Sequence, residues 1–387
     1  MQFIESGNRM LPQPIINEPH AFTLSTEEKW KFYQENCNLL KEFNSDQHEN
    51  SLEWYKKITR LLSILLIVTD PQEQFEIAPH ILRLLELMIR KKIIHKVVML
   101  LNRLEEDLLL EAVKIITLLA TGPKIPHIPL ESIFHPSKMT MKVLLVNDRT
   151  IGRLIKLLRT SNKKLKEQII IALGTIAKYD KEPRDIILMS GSIEALIGCF
   201  VEPLDNSMIQ KITWTLSIIC GETLPKEAAL KSGKIAVDVL TTVVKILPKT
   251  EDTETMANIF AILKHLLTLV EIRPDNINVW KQLVLRLTYQ DSIVRKSSLA
   301  AVKNIITLNE IQTQFMLECG LVEQLNELLT SQSEEIRIET CSIISILGQK
   351  GHSWVIHYLI LVCNRFRYSR YTFQTSLRGF IFTLGNH

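Results

Sequence analysis

Glycine is scarce in this chain, at 13 of 387 residues. Enzymes that cradle phosphate in Gly-rich loops usually carry more glycine. The sequence also lacks a phosphate-loop motif, the zinc-protease motif HExxH and a Ser–His–Asp order typical of hydrolases. We therefore expect a protein that has no catalytic residues and is not an enzyme.

Cysteine and histidine do not form metal-binding or disulfide patterns either. None of the six cysteines belongs to a C-x-x-C pair, and the ten histidines are scattered. Most of the cysteines lie in apolar stretches, where cysteine behaves as a small hydrophobic residue. We expect a reducing compartment, no disulfide framework, no metal and no cofactor.

Long hydrophobic runs are missing as well. The longest, 61–68 and 358–363, are far shorter than the roughly 20 residues of a membrane helix. Residues 1–18 lack the apolar core of a signal peptide. The net charge of +4 is too small to indicate nucleic-acid binding. Membranes and nucleic acids are therefore not expected as partners.

What the sequence does contain is a nearly continuous helical pattern. Between 52 and 349, apolar residues recur every three or four positions, with short polar breaks between stretches. One longer break, 122–147, contains four prolines and is predicted to be a surface loop. The predicted organisation is an arm at 1–24, a helix at 25–44, repeats over 45–352 with that loop inserted, and a divergent tail at 353–387.

The helical region repeats itself. The apolar pattern of 151–158 recurs 42 residues later at 193–200, and again at 322–329, which is three steps of 43 residues further on. A glycine turn precedes the two later copies, at Gly191 and Gly320. A period of 40–47 residues is typical of armadillo and HEAT repeats, whose stacked units bury a shared core. We predict an all-α, right-handed superhelical solenoid of about seven armadillo repeats.

Several short segments resemble one armadillo family. They are G-S-I-E-A-L at 191–196, T-W-T-L-S at 213–217, N-I-I-T at 304–307 and I-Q-T-Q at 311–314. With these segments the chain resembles importin α, an adaptor that recognises nuclear localisation signals. The resemblance implies protein binding, protein import into the nucleus, and location in cytoplasm and nucleus.

The family's groove has a defined residue pattern. The third helix of each repeat presents a Trp and, four residues later, an Asn, which share one helix face. The Trp rings hold Lys and Arg stems, and the Asn amides bind the peptide backbone. In this chain the fourth repeat keeps Trp214 and the sixth keeps Asn304, whereas the fifth offers Ala257 and Ala261.

The resemblance therefore implies a degraded peptide groove. The predicted groove residues are Trp214, Asn304, Thr175, Tyr179, Asp180 and Ser342. Two alternatives stay open from the residues alone: Trp214 could fill the core instead, and Asn304 could be an ordinary solvated helix residue.

The partner is predicted to be a protein or extended peptide, which is basic if the family's activity is retained. Residues 1–44 contain four basic residues, fewer than the family's segment that binds importin β, so importin β binding is not expected. The alternative function is an armadillo scaffold that binds a different protein through a re-lined concave groove.

Overall fold

The structure is a computed structural model. It describes residues 31, 51–66, 85, 87–89, 92–121, 149–200, 205–221, 226–267, 277–352 and 355. The predicted arm, the inserted loop, and nearly all of the predicted N-terminal helix and C-terminal tail lie outside these residues. Those four predictions therefore stay predictions.

All regular elements in the described part of the chain are helices, which confirms the all-α prediction. Fifteen helices have described bounds: α1 Leu52–Leu66, α2 Ile93–Leu100, α3 Glu106–Thr121, α4 Arg149–Leu157, α5 Lys163–Tyr179, α6 Lys181–Met189, α7 Ser192–Ile197, α8 Asn206–Ile219, α9 Lys226–Ile246, α10 Thr253–Leu266, α11 Ile277–Leu285, α12 Ser292–Leu308, α13 Glu310–Glu318, α14 Leu321–Leu328 and α15 Glu334–Gln349.

The chain divides into two compact units, of which the first spans Met1–Leu204. In this unit α1, α3 and α5 pack side by side in chain order, so that α3 is enclosed between two neighbours. The shorter helices α2 and α4 pack against α3 and α5 respectively, and α6 packs against α5. Burying one large aliphatic side chain in this way stabilises the fold by about 1.5–3 kcal/mol.

The second unit spans Asp205–His387 and repeats this arrangement. Its long helices α8, α10, α12 and α15 pack in chain order, each against the next. The helices between them, including α9, α11 and α14, pack against the long helix that follows. We call these four helices, together with α1, α3 and α5, the third helices. Their number agrees with about seven repeats.

The two glycine turns found in the sequence have a backbone reason. Gly191 and Gly320 precede α7 and α14 with φ angles of 77° and 90°, in the left-handed region. A residue with a β-carbon is strained there, whereas glycine is not.

We expect Gly320→Ala to destabilise the protein by about 1–2 kcal/mol, because alanine must adopt the left-handed conformation. Gly152→Ala is the matched control, since Gly152 lies within α4 and an added β-carbon would meet nothing within 4 Å. That control should be neutral or slightly stabilising. Urea denaturation of both variants measures the difference, and equal stabilities would contradict this explanation of the turn.

A buried carboxylate joins two third helices of the first unit. Glu111 of α3 is 5% exposed. It accepts hydrogen bonds from the hydroxyl of Thr59 on α1 at 2.7 Å and from the ammonium group of Lys114 at 2.8 Å. The carboxylate is therefore compensated on both oxygens, as a buried charge must be.

We expect Glu111→Ala to cost about 2 kcal/mol of stability, because it removes two hydrogen bonds to a charged group and leaves the Lys114 ammonium without this acceptor. Glu53→Ala on α1 is the control, since the side chain of Glu53 is 77% exposed. Its effect should stay within about 0.5 kcal/mol. Chemical denaturation compares the two, and a similar small loss in both would show that the Glu111 contacts contribute little.

Candidate functional site

The N-terminal caps of the third helices fix which residues are equivalent. The side chains of Asn162, Asp205, Asp252 and Asp291 each accept a hydrogen bond from a backbone N–H in the first turn. Such caps mark the first turn of a helix. The ninth residue after each cap therefore occupies the same angular position on its helix, and we call these positions the groove row. For these four helices and for α15, which follows Ser333, the row is Ile171, Trp214, Ala261, Ala300 and Ser342.

This register corrects the sequence alignment of the fifth repeat. The pair expected from the 43-residue step was Ala257 and Ala261, but the cap at Asp252 moves the equivalent pair to Ala261 and His265. The shift arises because the step from the Asp205 cap to the Asp252 cap is 47 residues, four more than the 43 used in the alignment. Sequence reasoning missed His265, although the Asp252 cap was visible in the sequence as a signal for where α10 begins.

Trp214 is 1% exposed. Its indole N–H is buried without a hydrogen-bond partner among the described residues. A lysine stem cannot stack on a ring that is closed to solvent, so in this structure Trp214 offers no slot of the kind found in the family. The burial supports the alternative that Trp214 fills the core.

Asn304 lies four residues after the groove row on α12 and is partly buried. Its side-chain amide donates a hydrogen bond to the backbone carbonyl of Lys264 on α10, at 2.5 Å. The amide therefore ties two third helices together. Since this bond uses an N–H group, the side-chain oxygen remains the part of Asn304 that could accept from a ligand.

Three predicted groove residues belong to the first unit. Thr175 is 4% exposed, and its hydroxyl donates to the carbonyl of Ile171 at 2.8 Å. Asp180 is exposed and caps α6 by accepting from the N–H of Lys181 at 2.7 Å. Burial and the nearby Asp180 charge raise the pKa of Tyr179 to about 12, so its hydroxyl stays protonated at neutral pH. Thr175 is thus closed to a ligand, and Asp180 and Tyr179 lie where α5 meets α6.

The groove row opens to solvent on α12 and α15. Ala300 is exposed on α12, and Ser342 is partly exposed on α15. The exposed or partly exposed residues around them recur at matching positions, 42 residues apart. We call them the open face, and they are Ile293, Lys296, Ala300, Lys303, Asn304 and Thr307 on α12, with Glu335, Ile338, Ser342, Ser345, Ile346 and Gln349 on α15.

Two ion pairs cross the open face. Lys296 pairs with Glu335, and the ammonium group of Lys303 lies 2.7 Å from a carboxylate oxygen of Glu339. All four side chains keep between 36% and 65% of their surface exposed. Basic groups therefore lie on α12 and acidic groups on α15.

The described residues contain no group of three or more His, Cys, Asp or Glu side chains that could hold a metal ion. A helix long and apolar enough to cross a membrane is likewise absent from this part of the chain.

Comparison with known proteins identifies relatives in sequence and in fold. No protein-family model matches the chain. Importin subunit alpha-1b of Oryza sativa subsp. japonica is 27% identical over 203 residues, which are 51% of this chain and 37% of that protein. Importin subunit alpha-3 of Arabidopsis thaliana is 25% identical over 209 residues, with the same coverage. The chain thus spans little more than a third of the length of these relatives.

Solved structures give the fold. A designed armadillo repeat protein matches 65% of this chain and 98% of its own length, with a TM-score of 0.53 and 19% identity. Another, solved in complex with the peptide (KR)4, matches equally well at 18% identity. None of these relatives is named as an enzyme. The chain has an armadillo-repeat fold, and over about half of its length it resembles the importin α subunits.

Proposed function

We propose that this protein is a non-catalytic adaptor that binds a partner protein by holding an extended segment of it on the open face. One observation carries the proposal. The groove-row residues Ala300 on α12 and Ser342 on α15 are accessible to solvent, and the exposed residues around them recur at positions 42 residues apart. Two adjacent helices with the same exposed row offer a repeating surface, which suits an extended chain crossing them.

The comparisons support peptide binding in general. One structural relative holds the peptide (KR)4, and the sequence relatives are importin subunits. The first candidate function is that of an armadillo scaffold with a re-lined groove and a different partner. The second candidate is an import adaptor that recognises nuclear localisation signals and acts in cytoplasm and nucleus. The importin α resemblance favours this second candidate.

The composition of the groove row favours the re-lined groove. Each Trp of a signal-binding groove contributes about 0.5–2 kcal/mol through cation–π contacts with a ligand cation. Here Ala261, Ala300 and Ser342 have no ring, and Trp214 is closed to solvent. A basic signal peptide therefore lacks the contacts that normally hold its side chains, and its binding should be weak.

If the open face corresponds to a peptide groove, restoring the missing side chains should restore basic-peptide binding. We expect Ala300→Trp, Ser342→Trp and Ile346→Asn together to raise the affinity for (KR)4 at least tenfold, because each new ring adds a cation–π contact. Isothermal titration calorimetry measures the affinity of wild type and variant.

The control for that experiment is Ile311→Trp, which adds an exposed ring on α13, outside the open face. It should leave the affinity for (KR)4 unchanged. If the triple variant gains nothing, or if the control gains as much, the open face does not act as a groove for basic peptides. If wild type already binds (KR)4 at micromolar concentration, the import adaptor becomes the better candidate.

Trp214→Ala separates the two roles considered for this residue. Because the ring is buried, we expect the substitution to lower the free energy of unfolding by about 3–5 kcal/mol and to leave the weak (KR)4 affinity unchanged in protein that remains folded. Lys57→Ala, at an exposed site on α1 outside the open face, is the control. A stable Trp214 variant that loses peptide affinity would instead assign Trp214 to the groove.

A further inference from the structure

The open face continues onto α10 through two lysines at equivalent positions. Lys264 and Lys303 each lie three residues after the groove row, on helices that pack against each other. Both are partly exposed, and next to them lie His265 and Asn304, which are also partly exposed. Packed helix axes are about 8–10 Å apart. A carboxylate held above the seam between α10 and α12 can therefore reach both ammonium groups.

The adjoining seam between α12 and α15 carries acidic groups on its α15 side. Glu339 and Glu335 carry side chains that are 45% and 65% exposed. Between them on α15 lies Ile338, which is 57% exposed. A ligand cation could approach these carboxylates while its aliphatic stem lies along Ile338, since long basic side chains commonly bury their stems on apolar surface.

The ion pairs across the face do not use up these groups. Exposed pairs contribute about 0–1 kcal/mol to stability, so they hold the helices only weakly. An ammonium group has three donors, and a carboxylate has about four acceptor positions. Lys303 and Glu339 can therefore bind each other and a ligand at the same time.

We propose that the open face, with Lys264 and Glu339, selects an extended peptide of mixed charge, in which an acidic residue lies about three positions from a basic one. The acidic residue lies over Lys264 and Lys303, and the basic residue lies over Glu339. The two seams are one helix spacing, about 8–10 Å, apart. A peptide in the polyproline II conformation has three residues per turn and rises about 3.1 Å per residue, so two residues three positions apart lie on the same side of it and about 9 Å from each other. This inference rests on the proposed function, because it names the ligand class of the same face.

The same geometry disfavours a purely basic peptide. Such a ligand would place a cation above two lysines, where like charges repel and no aromatic ring compensates. The lysines therefore explain, together with the missing rings, why the face differs from a signal-binding groove.

The test uses octapeptides that differ in charge alone and the full-length protein. GSEVAKSG carries the proposed spacing, GSKVAKSG is the basic version, GSQVAKSG removes the acid, and GSEVAQSG removes the base. NMR or calorimetric titration gives each dissociation constant. We expect GSEVAKSG to bind about threefold to fivefold more tightly than either single-charge peptide, the range expected for one exposed charge contact. The affinity of GSEVAKSG should exceed that of the basic peptide GSKVAKSG by a larger factor.

Substitutions then assign each contact. Lys264→Met and Lys303→Met should remove the preference for GSEVAKSG over GSQVAKSG, and Glu339→Gln should remove the preference for GSEVAKSG over GSEVAQSG. Lys56→Met, at an exposed lysine of α1, is the matched control and should change neither ratio. Because each ratio compares two peptides on one variant, a loss of stability would not imitate the result.

The outcomes separate the two proposals. Tighter binding of GSKVAKSG would overturn the mixed-charge inference and leave peptide binding intact. Equal binding of all four peptides would also overturn it. If none binds, and the triple variant described above gains no affinity for (KR)4, the proposed function fails as well.

Discussion

The structure depends on one constraint: within each compact unit, the third helices bury apolar residues on more than one side by packing against the next third helix. In α3 and α5 nearly every residue past the first turn is buried, which includes polar residues such as Gln168. Such a helix is unstable alone, because most helical stability in proteins comes from packing. Polar groups inside the stack must then find partners in neighbouring helices. The amide of Gln168 donates to the Thr117 hydroxyl at 3.1 Å, and Thr59 donates to Glu111. In this way the stacking requirement explains both the repeat and its internal polar contacts.

This constraint also fixes where a binding surface can exist. A buried side chain cannot contact a ligand. Trp214 and Thr175 are both buried, so neither can contribute to a binding surface. Towards α12 and α15 the covering is incomplete, and Ala300 and Ser342 reach solvent. The side chains at these positions are small or polar, so their exposure costs little. Ile293 and Ile338 are also exposed on these two helices, at 58% and 57%.

Much of the fold could be predicted from the sequence, because periodicity and caps are local signals. The helical pattern and the glycine turns at Gly191 and Gly320 follow from rules that act over a few residues, and the 42-residue step follows from comparing the chain with itself. The site was less accessible to such reasoning. Helical spacing gives the angular position of Trp214 on α8 but does not show what lies over that face. Asn304 was predicted to bind the backbone of a peptide, yet its amide donates to the carbonyl of Lys264. That contact depends on how two helices pack. The fifth repeat was aligned four residues too early, because the step from the Asp205 cap to the Asp252 cap is 47 residues.

The differences from a signal-binding groove form a consistent physical pattern. Replacing rings by Ala300 and Ser342 removes cation–π attraction, and this alone would leave a neutral surface that binds basic peptides poorly. Lys264 and Lys303 go further, because they place positive charge beside the positions where such a ligand's cations would lie. The cost of holding these two lysines on adjacent helices is moderated by Glu339, which pairs with one of them. Lys264 and Lys303 therefore keep exposed positive charge that Glu339 neutralises only in part. Such a surface can bind a carboxylate in water.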